Sequence, residues 1–492
     1  MTFTPTAEQT AVVTAAETTT DNLLVNALAG AAKTSTLVLV AQALRKQQMM
    51  CLAFNKKIAD EMKERLPPNC ESLTLNSLGH RAWAQHLGGR RLNVDAKKTY
   101  RLLSEAIDKL KDPKEKSFAF ENFADLMRNV DFGKACGWVP DNHFPQAKRL
   151  MTDDEFYGHL DEKLGDLERD LIHDVTVAGI REALQGTIDF GDQLFMPTLW
   201  GAVFPYYPVV LIDEAQDLSA LNHFMLRRVA KKRLIAVGDP NQSIYGFRGA
   251  HEDSMQKLKA DFSMVELSLT ISFRCPIKVV EEARWRAPAM QYPEWAKPGG
   301  VDRLHQWDVT DVPSQSVAIL CRNNAPLFSM ALKLLRDGRY PELVGNDLGR
   351  SLIKILKKLG PASMKQVDAV SAIQDWGVAR LEKARNPDRI NDQVACLLIF
   401  AREGKTLGEA IDYAERILSV SGPVKLMTIH KSKGLEFDTV FILDRELIRT
   451  PNPQENNLLY VAQTRAKDRL IYVDSAHYFS EREDSEERAI LE

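Results

Sequence analysis

Val210-Leu211-Ile212-Asp213-Glu214-Ala215-Gln216-Asp217 and, further along, Val237-Gly238-Asp239-Pro240-Asn241-Gln242-Ser243-Ile244-Tyr245-Gly246-Phe247-Arg248-Gly249-Ala250 each begin as an apolar run and end in acidic and amide side chains. A short apolar run bounded by polar residues is how a strand buried on both faces reads. Open α/β sheets place ligand chemistry beyond the C-terminal ends of their parallel strands. Asp213 and Glu214 fall at such an end. One carboxylate can hold Mg²⁺ while the other polarises a water. Gln242, at the end of the second run, is then a candidate sensor of a terminal phosphate.

The same pattern recurs on both sides. Leu23-Leu24-Val25 and Met50 to Phe54 precede the acidic strands; Val317 to Cys321, Lys425 to Ile429, Val440 to Leu443 and Leu470 to Val473 follow them. Each run leads into a turn and a helical pattern. This predicts an α/β fold with two parallel-sheet cores and two mainly helical insertions. Residues 1–86 with 187–260 are assigned to the first core, and 87–186 to a helical insertion within it. Residues 261–345 with 424–480 are assigned to the second core, 346–423 to a small helical insertion, and 481–492 to a charged tail.

After the first run stands Ala27-Leu28-Ala29-Gly30-Ala31-Ala32-Lys33-Thr34-Ser35. Cradling a phosphate needs backbone N–H groups at a helix N-terminus, a lysine for the β/γ-phosphates and a hydroxyl for Mg²⁺. Residues 29–35 are the expected cradle, with Lys33 on the phosphates and Thr34 sharing the metal with Asp213. Ala27 and Ala32 stand where the usual G-x-x-x-x-G-K-[ST] pattern has glycine. An alanine before the lysine brings a Cβ toward the phosphates and disfavours positive φ.

Composition sets the outer bounds. The chain has 492 residues, 45% hydrophobic and 27% charged, with a formal net charge of −3. That excludes a protein coated in positive charge, but not nucleic-acid binding through a local cleft. Cys51, Cys70, Cys136, Cys275, Cys321 and Cys396 are scattered without a CxxC pair, and read as reduced core thiols. No run is long enough to span a membrane, and the first residues do not read as a signal peptide. The expected location is the cytoplasm of a bacterium or of a phage-infected host cell. Arg90-Arg91, Lys97-Lys98 and Lys354-Lys357-Lys358 in the insertions read as solvated helix faces, with contact to duplex or single-strand phosphates as the alternative.

The ordered set of motifs resembles the superfamily 1 DNA helicases of the UvrD/Rep type, and in its compact form the F-box DNA helicases or phage relatives. Phe3 to Gln9 is similar to the family's adenine-reading segment, which implies that Gln9 bonds the base edge. Its local alternative is a polar cap before a helix at Thr10. Phe54-Asn55 and Thr74 to Arg81 resemble segments that touch DNA, implying base stacking by Phe54 and backbone contacts by Asn55, Asn76 and His80. Where the family usually carries histidine, this chain has Asn76. Asp189-Phe190-Gly191-Asp192 resembles a further family segment without a clear role. Leu269 to Pro276 matches the family element that implies Phe273 on the adenine and Arg274 on the γ-phosphate. Val424 to Phe437 implies that His430 couples nucleotide to DNA and that Glu436 meets the ribose. Leu459 to Ala466 implies a second γ-phosphate arginine, Arg465. Phe247 and Arg248 stand where the family places a stacking aromatic and its neighbour on the DNA track.

The resemblance implies that both cores are RecA-like and that the first binds ATP, with ATP and Mg²⁺ as cofactors and Glu214, Gln242, Arg274 and Arg465 as the catalytic set. It implies 3′ to 5′ movement on single-stranded DNA, preference for DNA with a 3′ overhang, no membrane, and a loading or replication/repair protein as a further partner. An RNA helicase of the same superfamily, or an ATP-gated DNA-binding module with slow hydrolysis, are the other readings open to these residues. Trp83 and Trp200, near the motifs, read as core.

Overall fold

The computed structural model describes residues 4–160, 163–244, 253–345, 347–382, 384, 387–449 and 452–479. The backbone divides into two units: Met1–Leu28 with Ala32–Thr270, and Ala29–Ala31 with Ile271–Glu492.

In the first unit, β1 (Leu23–Ala27), β2 (Met49–Ala53), β3 (Cys70–Thr74), β6 (Val209–Ile212), β7 (Leu234–Gly238) and β8 (Val265–Leu269) form one sheet. Its order is β3-β2-β6-β7-β1-β8, and every pairing is parallel. The interior strands β2, β6 and β7 are buried at every residue. Side chains on both faces of such a strand are covered by helices, so its sequence is continuously apolar. Helices α1 (Ala7–Thr18), α2 (Lys33–Ala43), α3 (Lys56–Arg65) and α4 (Leu75–His86) punctuate the first three strands.

Between β3 and β6 lies a mainly helical region: α5 (Lys98–Asp108), α6 (Pro113–Glu121), α7 (Phe123–Cys136), α8 (Asp153–Gly158) and α9 (Asp166–Gln185), with a minimal parallel pair of β4 (Asn93–Val94) and β5 (Thr187–Ile188). It has its own core, in which the Trp138 and Phe156 rings stack 4.0 Å apart among Leu103, Ile107, Val130 and Ile172. It is attached to α10 (Asp192–Leu199) by an apolar cluster, in which Ile180 and Ala183 of α9 join Phe195 and Met196, and by buried ions. Lys98, fully buried, donates to Asp192 Oδ2 at 2.7 Å and to the carbonyls of Gly179 and Thr187. Lys134 donates to Asp189 Oδ2 at 2.5 Å and lies 2.9 Å from Asp192 Oδ1. Breaking such a network is costly, because it strands a buried charge. Next to it, α4 meets α10 at Gly79, where a Cβ would fall 2.0 Å from the Gln193 carbonyl oxygen. Helices α11 (Ala220–Val229) and α12 (Ser254–Phe262) complete the unit.

The second unit repeats the plan. Strands β9 (Gly300–Arg303), β10 (Val317–Cys321), β11 (Pro341–Leu343), β12 (Val424–Thr428), β13 (Phe437–Leu443) and β14 (Ala466–Val473) lie in the order β11-β12-β10-β13-β14-β9, all parallel. Helices α13 (Ile277–Ala283) and α14 (Ala325–Arg336) precede a run of four, α15 (Asp347–Leu359), α16 (Gln366–Leu381), α17 (Pro387–Arg402) and α18 (Leu407–Ser419); α19 (Ile429–Ser432) and α20 (Pro453–Gln463) follow. These four share one apolar cluster with their sheet: Leu352, Leu356, Leu397 and Phe400 pack with Ile319, Leu426 and Phe441.

The fold is thus α/β with two RecA-like parallel sheets, as the strand pattern and the resemblance predict. Three details differ from expectation. The first sheet extends past residue 260, because Val265–Leu269 pairs with β1. Lys98 is not on a solvated face: its ammonium is wholly enclosed by acceptors. The first helix begins at Ala7 rather than Thr10, because Thr6 and Gln9 form a reciprocal capping box. Trp83 and Trp200 are core, all six cysteines are buried and free, and Lys354, Lys357 and Lys358 are exposed. No described helix is long and apolar enough to cross a membrane.

Candidate functional site

The loop from β1 to α2 is built for an anion. Gly30 has φ +76°, and Ala32, the N-cap of α2, is left-handed at φ 56°, ψ 42°. Left-handed backbone costs a residue with a Cβ about 1–2 kcal/mol, so Ala32 meets the penalty its sequence position foretells. Ala32 gives α2 no side-chain cap. The first-turn N–H groups, at the positive end of the helix, therefore have no capping oxygen and suit a phosphate. Ala29 and Ala31 are buried, and Ser35 accepts a bond from Arg65 at 2.9 Å.

Lys33 opens α2 and reaches the end of β6. Its Nζ lies 3.0 Å from Glu214 Oε2, while Thr34 Oγ1 donates to Asp213 Oδ2 at 2.9 Å. Glu214 is itself left-handed, at φ 53°, and its N–H donates to Asp213 Oδ1 at 2.8 Å. Gln216, wholly buried, donates to Glu214 through Nε2 and accepts the Asp239 N–H at 3.0 Å through Oε1. Gln242 Nε2 donates to Asp239 Oδ2 at 2.7 Å. One polar chain therefore runs from the phosphate loop through the ends of β6 and β7.

Its electrostatics are strained in one direction. Burial pushes Asp213 up to about 6, helped by repulsion from Glu214. Burial also raises Asp239. Burial works against a charged Lys33, but Glu214, Asp239 and Asp213 outweigh it and hold the ammonium above its usual range. A carboxylate beside a threonine hydroxyl is the hard-oxygen pair that Mg²⁺ takes when phosphates supply further ligands. The residues fit Mg²⁺ and a nucleotide phosphate; among the described residues no cluster of three His, Cys, Asp or Glu offers an all-protein metal cage.

Around this centre the other first-unit candidates take defined places. Gln9 is buried, donating to Thr36 Oγ1 at 3.1 Å and accepting the Thr6 N–H at 3.0 Å. Phe54, at the end of β2, is 42% exposed rather than core. Asn55 caps α3 through the Ile58 N–H at 2.9 Å. Asn76 Nδ2 donates to the Phe190 carbonyl at 2.8 Å, and His80 Nδ1 faces Gln193 Nε2 at 3.5 Å. Phe247 and Arg248 lie outside the described residues.

In the second unit, Arg274 Nε donates to Glu436 Oε2 at 2.8 Å, and its Nη1 lies 3.5 Å from the Thr464 carbonyl. Arg465 is almost wholly buried and donates to the Val461 and Leu435 carbonyls at 3.0 and 3.2 Å and to Thr464 Oγ1 at 3.4 Å. The two arginines and Glu436 thus gather around Thr464. His430 sits half-buried on α19, which follows β12 directly.

Four residues escaped the sequence reading. Gln216 and Asp239 lie inside the quoted acidic stretches, yet only the fold shows that they join Glu214 to Gln242. Phe190 is 61% exposed between the two aspartates that bind Lys98 and Lys134. Trp295 is 71% exposed and its ring stacks near Phe273, centroids 6.2 Å apart at 26°. A large aromatic beside turn-forming prolines was the available signal for Trp295.

The sequence matches the UvrD/REP helicase N-terminal domain over residues 6–263 and the UvrD-like helicase C-terminal domain over 379–476. It is 24% identical to F-box DNA helicase protein 1 of Schizosaccharomyces pombe, over 96% of this chain and 57% of that protein. It is 26% identical to F-box DNA helicase 1 of Gallus gallus, over 92% and 47%, and 25% identical to a probable DNA helicase II homolog of Mycoplasma pneumoniae, over 86% and 76%. The chain spans about half the length of the two F-box relatives. The two domain matches, carried on two parallel-sheet units with their acidic and basic motifs in order, make this chain a member of the UvrD/Rep helicase family.

Proposed function

We propose that the chain is an ATP-driven motor that moves 3′ to 5′ along single-stranded DNA and unwinds duplexes bearing a 3′ overhang. The observation that carries this reading is the bonded set of Lys33, Thr34, the buried Asp213 and Glu214 at the ends of β1 and β6. Lys33 and the α2 N-terminus bind the nucleotide's phosphates. Thr34 and Asp213 hold Mg²⁺, which when bound neutralises phosphate charge and orients it for displacement. Glu214 takes the proton of the attacking water, and Gln242 reports on the terminal phosphate. Gln9 and Phe273 orient the base, and Glu436 the ribose.

Arg274 and Arg465 are assigned to the γ-phosphate oxygens, where negative charge spreads in the transition state; donation of this kind is worth about 10³–10⁵ in rate. Glu436 must release Arg274 for that task. Phe54, with Phe247 and Arg248, supplies the DNA track, where stacking on an aromatic face is sequence-tolerant. Asn55, Asn76, His80 and His430 flank it, and the exposed ring of Phe190 extends it. A loading or replication/repair protein is the proposed further partner.

The test is ATP turnover with no nucleic acid, with single-stranded DNA and with single-stranded RNA, followed by unwinding of duplexes with 3′ or 5′ overhangs. Strong stimulation by DNA and unwinding from the 3′ overhang are expected. Equal stimulation by RNA would move the reading to an RNA helicase. Nucleotide-dependent DNA binding with negligible turnover would reduce the protein to an ATP-gated binding module.

A further inference from the structure

The helical region between β3 and β6 holds a cleft of about 570 Å³, formed by α5, the start of α6 and the first half of α9. Its floor is apolar: Leu102, Leu171 and Val175 are buried, while Ala106, Leu110 and Leu167 remain partly open. Its rim is acidic. Glu105, Glu115, Asp166, Asp170 and Asp174 line it, all exposed, against the single cation Lys109. Glu105 shares Arg101 with Glu182 and Asp95, and Asp174 meets His173. Glu115, Asp166 and Asp170 have no ion-pair partner among the described residues.

We propose that this cleft docks a lysine- or arginine-rich amphipathic helix of a partner protein. The apolar floor flanked by one sign of charge decides the occupant. A helix laid in a groove buries side chains at i, i+3, i+4 and i+7 and leaves its flanks at the rim. Basic flanks meet the carboxylates, raising the association rate and selecting against acidic partners. The same rim repels a DNA backbone, which sets this face apart from the strand track proposed above. The cleft belongs to the region that is tied to α10 by buried ion pairs and has its own core. The inference does not depend on the motor reading.

The experiment uses the full chain and a fluorescein-labelled synthetic helix of about 18 residues, long enough to hold helical structure, with leucine on one face and lysine on the flanks. A counterpart carries glutamate in place of lysine. Fluorescence anisotropy should show binding of the basic helix alone, weakening as salt screens the rim. Asp166→Lys with Asp170→Lys should weaken it by about tenfold or more, and Ala106→Trp, which fills the floor without changing charge, should also weaken it. Asp368→Lys with Asp375→Lys, the same charge change on exposed positions of α16, should not. DNA-stimulated ATP turnover should be unchanged in all of these variants. Equal binding of both helices, equal loss in the α16 control, or full displacement by spermidine at the peptide's own concentration would each overturn the proposal.

Discussion

Each unit parks a candidate phosphate-binding cation on a glutamate, but the surplus charge differs in sign. In the first, Lys33 lies on Glu214, with Asp213 and Asp239 beside it: three carboxylates against one ammonium. In the second, Arg274 lies on Glu436, with Arg465 held nearby by neutral oxygens: two guanidinium groups against one carboxylate. The first surplus calls for a divalent cation, and the burial that pushes Asp213 up to about 6 measures how poorly it tolerates standing alone. The second surplus calls for anionic oxygens. A Mg²⁺–nucleotide carries both kinds of charge, so each set taken by itself suits one part of the ligand named in the proposed function.

The two arginines offer the hardest test. Arg274→Ala should lower DNA-stimulated turnover by about 10³-fold or more with the melting curve unchanged, since its side chain is partly solvated. Arg465→Ala should lose as much turnover and also destabilise the unit by on the order of 3 kcal/mol, because its buried acceptors lose a charged donor. Equal melting curves for the two variants would remove the distinction between a poised and a built-in arginine.

Glu214→Gln tests the acidic half. Turnover should fall by about 10²–10⁴, while ATP affinity, read by fluorescent-nucleotide displacement, should hold or improve because Lys33 is released. A variant that turns over normally would take Glu214 out of the chemistry.

A second contrast separates what the sequence discloses from what it hides. The eight strands recognised as apolar runs are the eight interior strands of the two sheets. The remaining strands of these two sheets, β3, β8, β9 and β11, went unrecognised, and they are the four edges. Interior strands are covered on both faces over most of their length, and apolarity is dictated where they are covered. Edge strands are not: β8 exposes Val265, Glu266 and Ser268, and Gly300-Val301-Asp302-Arg303 has no fully buried residue. That is why the first core was ended too early. The site follows the same logic. Residues at interior strand ends, such as Asp213, Glu214 and Gln242, are legible because an apolar run points at them. The pairing of Arg274 with Glu436, distant in the chain, is a tertiary fact. So is the burial of Lys98, since a lysine reads as solvated wherever its partners are out of sight.

The helical regions sharpen this point. Lys134→Met breaks a buried network and should cost about 3–5 kcal/mol in urea unfolding followed by tryptophan fluorescence. Lys357→Met removes an ion pair to Glu415 between exposed side chains, and should cost no more than about 1 kcal/mol. Similar costs would mean that the network around Asp192 is better solvated than its enclosure indicates.

The smallest effect concerns the phosphate loop itself. Ala32 and Glu214 are both left-handed and lie on either side of the Lys33–Glu214 contact, and strain of this kind persists where function over-determines the backbone. At Glu214 the side chain carries the proposed chemistry, so the strain cannot be removed without losing it. At Ala32 the methyl contributes no hydrogen bond, and glycine would adopt the same backbone freely. Ala32→Gly should therefore stabilise the first unit by about 1 kcal/mol, offset in part by the greater freedom of glycine in the unfolded chain. It should also tighten nucleotide binding by removing a Cβ from the phosphates' approach. If the variant is instead less stable and binds ATP no better, the loop's left-handed turn is set by its surroundings at no cost to alanine, and the departure from the glycine pattern is neutral.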